Sequence, residues 1–416
     1  MNDELHVKGN RAKEATGKMA ALTTEQKNNS LLNMADALDR NVHRILTANQ
    51  KDMHAGQENG LTEALLDRLL LTEDRVHAMA AALRNLTKLE DPVGKMEEMW
   101  KGAQGIEIGK MRVPLGVIGI IYEARPNVTV DAAGLCLKTG NVVILRGGSD
   151  AQHSNRLLTD IIAEAAEETG CPAGCIQSLD QPDREVVMEM LKLNEYIDVV
   201  IPRGGAGLIQ AVVKNATVPV IETGVGNCHI FVDRTGNLEK AQEIVINAKV
   251  QRPGVCNALE TLLVHRDVAA EFLPVLLHEL GNRGVEIRGD EETRQLWPAA
   301  KEATEEDYRT EFLDLILAVK VVTDLEEALS HIHHYSTGHS EAIITEHYGN
   351  ARKFTQVVDS AAVYVNASTR FTDGEQFGYG AEIGISTQKL HARGPMGLKE
   401  LTSTKYVIHG DGQIRK

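Results

Sequence analysis

The sequence predicts an α/β protein of two domains with mostly parallel sheets, preceded by a layer of helices. Three observations predict it. Apolar residues recur at helical spacing through the first ninety positions. From residue 105, short β-branched runs alternate with helical stretches. That alternation comes in two blocks, the second running from Leu238 to about Val365. A chain of 416 residues has room for two or three domains.

In the helical layer, Leu31, Ala35, Leu38, Val42 and Ile45 form one stripe on a single expected helix, and Thr23 with Gln26 has capping-box spacing at its start. A second stripe, Val76, Ala80, Leu83 and Leu86, follows Thr72, with a polar turn expected around Gly56 and Gly60. Trp100–Arg112, carrying Gly102, Gly105 and Gly109, reads as a β-hairpin that leaves the first block, and the polar tail Leu401–Lys416 is expected to pair with it. First-block strands are expected at Val117–Ile121, Asn141–Leu145, Asp198–Ile201, Val218–Glu222 and His229–Val232. Helices are expected at Asp150–Thr169, Arg184–Leu193 and Ala206–Lys214. Second-block strands follow at Leu259–Val264, Ile316–Val322, Ala342–Thr345 and Ala362–Asn366.

Composition narrows the class of function. Lys plus Arg is 44 against 59 for Asp plus Glu, a formal balance of −15, which argues against nucleic acid or an anionic membrane as partner. Aromatic residues, at 4%, are too few for a base-stacking platform. The five cysteines are odd in number and scattered, and the N-terminus Met1–Lys18 is polar. Free thiols in the cytoplasm are therefore expected.

Cys256 lies in Gln251-Arg252-Pro253-Gly254-Val255-Cys256-Asn257, a tight loop directly before a strand. A lone cysteine is ordinarily a small buried hydrophobe, but a thiol on such a loop can reach a cleft among free N–H groups that favour thiolate and oxyanion. Cys136 and Cys228 lack this setting, and the pair Cys171/Cys175 has no second ligand pair, so no metal site is expected. Glu222 ends the run Val218-Pro219-Val220-Ile221, where a carboxylate reads either as functional or as a surface group at a turn. Arg146-Gly147-Gly148-Ser149 and Arg203-Gly204-Gly205-Ala206-Gly207 each join a strand to a helix and read as loops for an anionic, dinucleotide ligand. His331, His333 and His334 are expected to be solvated.

Taken together these pieces resemble the aldehyde dehydrogenase superfamily over nearly the whole chain. The resemblance rests on the run Pro114-Leu115-Gly116-Val117 through Glu123-Ala124-Arg125-Pro126-Asn127, on Lys138-Thr139-Gly140-Asn141, and on Ile221-Glu222-Thr223-Gly224. It continues through the Cys256 loop, 34 residues after Glu222, to His391-Ala392-Arg393-Gly394-Pro395-Met396-Gly397-Leu398. It is strongest to the branch that reduces L-glutamyl 5-phosphate to L-glutamate 5-semialdehyde with NADPH in proline biosynthesis. It implies Cys256 as nucleophile, Glu222 in the place of the hydrolytic relatives' general base, and Asn127 in the oxyanion hole. For NADP(H) it implies Arg146, Gly147, Gly148, Ser149, Gly204, Gly205 and Glu311. For substrate and phosphate the candidates are Arg252, Arg125, Ser368 and Arg370, each of the first two read equally as an ordinary structural arginine. Tyr122 and Asn127 stand, with shifted spacing, where relatives keep a tryptophan–asparagine pair.

The same resemblance implies an NADP-binding domain over 1–228 from which hairpin 100–112 projects. A catalytic domain over 229–366 and a return segment with an oligomerisation tail over 367–416 complete the division. A homo-oligomer, and channelling of the substrate from glutamate 5-kinase, are the partner expectations. Two rival readings stay open at this point: a hydrolytic NAD(P)-dependent aldehyde dehydrogenase, and a nucleotide-binding protein in which Cys256 is dispensable.

Overall fold

In the computed structural model, Thr23 accepts the Gln26 N–H and the Gln26 side chain accepts the Thr23 N–H, closing the expected capping box. The structure describes residues 3–123, 125–180 and 184–415. Ala124, inside the run that carries the resemblance, and Lys416, the end of the expected tail, lie outside the described residues. The stripe Leu31–Ile45 does not lie on one helix. It is divided between Thr24–Arg40 and Val42–Glu58, because the Asn41 side chain donates to the Ala37 carbonyl and its backbone leaves helical geometry. Gly56 is buried inside the second of these helices, so the expected turn shrinks to Gly60, at φ +72°. The later stripe sits on Glu73–Lys88, capped by Thr72.

The chain divides into two compact units. The first comprises Met1–Thr223, Gly378–Gly384 and Met396–Lys416, and the second Gly224–Phe377 and Ile385–Pro395. These bounds differ from 1–228, 229–366 and 367–416: the tail is shared between units rather than standing apart.

In the first unit a parallel sheet has the order Ile176–Ser178, Val142–Gly147, Val117–Tyr122, Val199–Arg203. Its central strands are buried on both faces, as apolar β-branched runs require. The segment Val218–Glu222, expected as a further strand, makes only one parallel bridge, Val200 with Val220. Val200 donates to the Pro219 carbonyl and Ile221 donates back to Val200, but Pro219 has no N–H and the ladder stops there. The hairpin is longer than expected, Met96–Lys101 with Glu107–Pro114, and the tail strand Thr402–His409 pairs antiparallel along the second of these, as the sequence suggested. This small sheet exposes Met99, Trp100, Tyr406 and Ile408.

In the second unit seven parallel strands run in the order Lys301–Glu302, Glu286–Gly289, Ile316–Val322, Leu259–His265, Cys228–Val232, Ser340–Ile344, Ala362–Val365. The first two are short and charged, and no β-branched run announced them. Leu262, Val264 and Val319 of the sheet pack with Leu273, Leu276 and Leu280 of helix Arg266–Asn282. Helix Leu325–Tyr335 turns His333 and His334 to solvent, but His331 inward. The expectation of a solvated His331 is therefore corrected: successive helical positions fall on different faces. Its ring packs among Tyr308, Tyr335 and His229.

Candidate active site

In the first unit, the chemistry-bearing loops leave the carboxyl ends of the parallel strands, where such sheets place ligands. Gly147, Gly148 and Ser149 follow strand Val142–Gly147 and lead into helix Gln152–Glu168. Beneath them Tyr122 Oη meets Thr129 Oγ1 at 2.6 Å, and Thr129 donates to Asn155 Oδ1 at 3.1 Å. A Cβ on Gly147 would lie 2.1 Å from Asn155 Nδ2, so only glycine brings the backbone this close. Among the described residues that buried Nδ2 has no hydrogen-bond partner. Gly147, Gly148, Ser149, Asn155, Arg156 and Asp180 line one cleft. A glycine loop, a helix N-terminus and an unpaired amide donor suit the phosphates of a dinucleotide. Arg146 is buried and donates to its neighbour's carbonyl, Gly147 O, at 2.7 Å. Arg156, largely exposed, is the guanidinium at the cleft, 3.7 Å from Asp180.

The second glycine loop is furnished differently. Gly205 N–H donates to Glu123 Oε2 at 3.0 Å, and a Cβ on Gly204 would lie 2.6 Å from Glu123 Cδ. A carboxylate thus already sits at the start of helix Ala206–Asn215. Asn127 is exposed near the start of helix Pro126–Lys138 and donates to Asp131 at 3.1 Å. Burial pushes the Asp131 carboxyl up to about 6. Arg125, exposed, precedes the same helix, and Glu222 is half-buried beyond the Val220 bridge.

In the second unit the site lies at the amino ends of the strands. Cys256 follows helix Leu238–Val250 and precedes strand Leu259–His265. It alone of the five cysteines is half-exposed; the other four are buried, and burial raises the thiols of Cys136 and Cys228. Its loop is held from three sides. Cys228 donates its thiol to the Cys256 carbonyl at 3.2 Å. Asn257 donates to Thr372 O at 2.9 Å, while Thr369 Oγ1 donates to Asn257 O at 2.7 Å. A Cβ on Gly226 would fall 1.5 Å from the Cys256 carbonyl oxygen, so the two backbones touch.

Glu311 is brought to this loop, because its Oε1 accepts the Gly226 N–H at 2.8 Å; burial raises its carboxyl above the usual range. Arg252 is exposed, and Arg370 donates to Gln251 Oε1 at 2.9 Å. Burial, and then the like charge of Arg252, lower the pKa of Arg370, while the negative charges of Asp373 and Cys256 pull it the other way. Ser368 is buried and caps the short helix Thr369–Phe371 by accepting the Arg370 N–H. Gly226, Asn257 and Asn155 escaped sequence reasoning. Each matters through a contact with a residue far along the chain, and only Asn257, beside Cys256, stood in a motif that pointed to it.

The model of the aldehyde dehydrogenase family matches residues 3–309. The chain is 63% identical over 413 residues to a gamma-glutamyl phosphate reductase of Caldanaerobacter subterraneus subsp. tengcongensis, covering 99% of this chain and 100% of that one. It is 57% identical over 415 residues to one from Clostridium perfringens, with 100% of both covered. The crystal structure of gamma-glutamyl phosphate reductase from Thermotoga maritima is similar at a TM-score of 0.98 and 53% identity, over 100% of both chains. An acetylating aldehyde dehydrogenase from Geobacillus thermoglucosidasius shares the fold alone, at 17% identity, a TM-score of 0.69 and coverage of 99% and 98%. The chain belongs to the aldehyde dehydrogenase family, in its gamma-glutamyl phosphate reductase branch.

Proposed function

We infer that the protein reduces L-glutamyl 5-phosphate to L-glutamate 5-semialdehyde and phosphate with NADPH, in proline biosynthesis. The observation that carries this reading is Cys256 itself, half-exposed on a braced loop with Arg370 in its electrostatic range. Its thiolate attacks the C5 carbonyl of the acyl phosphate. The bond from C5 to the bridging oxygen breaks, and its electron pair leaves with phosphate, giving a thioester. Bound NADPH supplies the hydride. Backbone N–H groups of the Cys256 turn are the donors we assign to the oxyanion, and Asn127 stays a candidate for that role from the family resemblance alone. Its collapse frees the aldehyde and returns the thiolate.

We assign the cofactor's phosphates to Gly147, Gly148 and Ser149 rather than to Gly204 and Gly205, because Glu123 occupies the second loop. Arg146 supports the first loop from below, and Glu311 is assigned to the nicotinamide ribose. Arg252 and Arg370 suit the phosphate and substrate anions, with Arg125 and Ser368 as further candidates. In this reading Glu222 does not activate water, since hydrolysis would waste the activated acyl group. The exposed apolar sheet around Trp100 and Tyr406 suits self-association as a homo-oligomer. An acyl phosphate is hydrolytically labile, which favours direct delivery from glutamate 5-kinase. None of the five cysteines forms a disulfide, and no described helix is long and apolar enough to cross a membrane; the unbridged thiols suit the cytoplasm. The test is the reverse reaction. NADP reduction with glutamate 5-semialdehyde should require phosphate or arsenate, and steady turnover to glutamate without either would establish a hydrolytic dehydrogenase instead.

A further inference from the structure

We propose that the buried pair Lys249–Glu260 is a positioning device that sets Glu311 against the catalytic loop. This rests on the assignment of Glu311 to the cofactor.

Lys249 and Glu260 bracket the nucleophile. One is the penultimate residue of the helix before the Cys256 loop, the other the second residue of the strand after it. Their Nζ and Oε2 atoms lie 2.6 Å apart, with both side chains wholly out of solvent. The other oxygen of Glu260 accepts the Leu313 N–H at 3.1 Å. Leu313 is exposed at φ +54°, a conformation a leucine seldom holds unless its surroundings impose it. Residues 311–313 have no regular secondary structure. Two carboxylate bonds hold this segment: Glu311 reaches out to the Gly226 N–H, and Leu313 reaches in to Glu260. Gly226 in turn lies on the Cys256 carbonyl. One ion pair therefore ties the two ends of the nucleophile loop to the segment that carries Glu311.

Stability alone does not account for such a pair. Burying two charges carries a large desolvation cost, and apolar residues of similar volume commonly serve as well or better. What an apolar pair lacks is the acceptor for Leu313. Both side chains are wholly out of solvent, and burial raises the Glu260 carboxyl against the pull of Lys249.

The test compares three full-length variants by equilibrium titration with NADPH, read by fluorescence, alongside thermal unfolding. Lys249→Met/Glu260→Leu removes the pair and the acceptor, and should weaken NADPH binding about tenfold without a lower Tm. Lys249→Met/Glu260→Gln keeps an acceptor for Leu313 and should restore affinity to within about threefold of the parent. In a Glu311→Ala background, the Met/Leu change should cost no further affinity. Should the Met/Leu protein not fold, Lys249→Met/Glu260→Met takes its place. Parental NADPH affinity in the apolar variant, or the same tenfold loss in the Glu311→Ala background, overturns the positioning role alone. Parental affinity in Glu311→Ala by itself overturns the cofactor assignment of Glu311, and this proposal with it.

Discussion

The Cβ that Gly226 lacks would lie 1.5 Å from the carbonyl oxygen of Cys256 and 2.8 Å from its Cα. No side chain can be added there without moving Cys256 or the Gly226 N–H that Glu311 accepts. Gly226→Ala should therefore cost roughly 1–3 kcal/mol of stability by overpacking. A displaced nucleophile should cost more in rate, with kcat down by about 100-fold or more. Steady-state kinetics beside thermal unfolding separates the two, and unchanged kcat would mean that the loop relaxes freely.

Cys256→Ala should abolish turnover while leaving unfolding and NADPH binding nearly unchanged, because the side chain is half-exposed and supports no core. Cys256→Ser should also lose several orders of magnitude, since an alcohol is hardly ionised at neutral pH. Activity of the alanine variant within tenfold of the parent would remove Cys256 from the mechanism.

The settings of Cys256 and of the first glycine loop were legible because they are local: a Pro-Gly turn before a strand, and glycines between a strand and a helix. Gly226, Asn155 and Glu260 were not. Gly226 is one glycine among 36 until the fold lays it on Cys256. Glu123 was equally hidden, although its carboxylate decides that the second glycine loop does not offer the Gly205 N–H. The helical and parallel-sheet textures survived folding because burial enforces them. The failures are stereochemical: Pro219 interrupts a ladder that hydrophobicity alone would continue, and Asn41 divides a stripe that spacing alone would join.

His331 predicts an acid limit to stability. Burial, reinforced by nearby His229 and Lys320, lowers its pKa from 6.5 to about 2, and burial lowers His339 to about 4. Both are neutral in the fold, whereas the unfolded chain takes up their protons below pH 6.5. Their contribution is complete above that pH and is lost as pH falls toward the folded values. For His331 the loss is about 1.4 kcal/mol for each pH unit below 6.5. His331→Phe should lose correspondingly less between pH 7.5 and 5.5, measured by urea midpoints. Parallel pH slopes in the two proteins would contradict this.

With the cofactor's phosphates assigned to Gly147, Gly148 and Ser149, that cleft predicts a preference for NADP(H) over NAD(H). Ser149 is exposed there and Arg156 lines the same cleft. A 2′-phosphate therefore meets a guanidinium and a hydroxyl, although Asp180 is also at hand. The expected preference is at least tenfold in kcat/KM, about 1.4 kcal/mol. Ser149→Glu should erase it through the KM for NADP, and Arg156→Ala should weaken it. Equal use of both nucleotides by the parent, or no response to either substitution, would count against the assignment.

Like charge from Arg252 lowers the pKa of Arg370, a repulsion that a bound anion relieves, and the product phosphate is the anion this reaction must accommodate. Arg370 is the more confined of the two, half-buried and tied to Gln251, whereas Arg252 is exposed and its side chain has room to follow an arriving or departing group. Arg252→Ala should then raise the KM for phosphate in the reverse direction by about 10- to 100-fold, the worth of a hydrogen bond to a charged group. The KM for the aldehyde should change by less than about threefold. Arg370→Ala also removes the Gln251 contact and should raise both. The discriminating measurement is initial NADP reduction over a phosphate series at fixed glutamate 5-semialdehyde, repeated with arsenate. If Arg252→Ala raises the aldehyde KM as much as the phosphate KM, the exposed arginine holds the carbon substrate and the phosphate must be sought at Arg370 or Arg125.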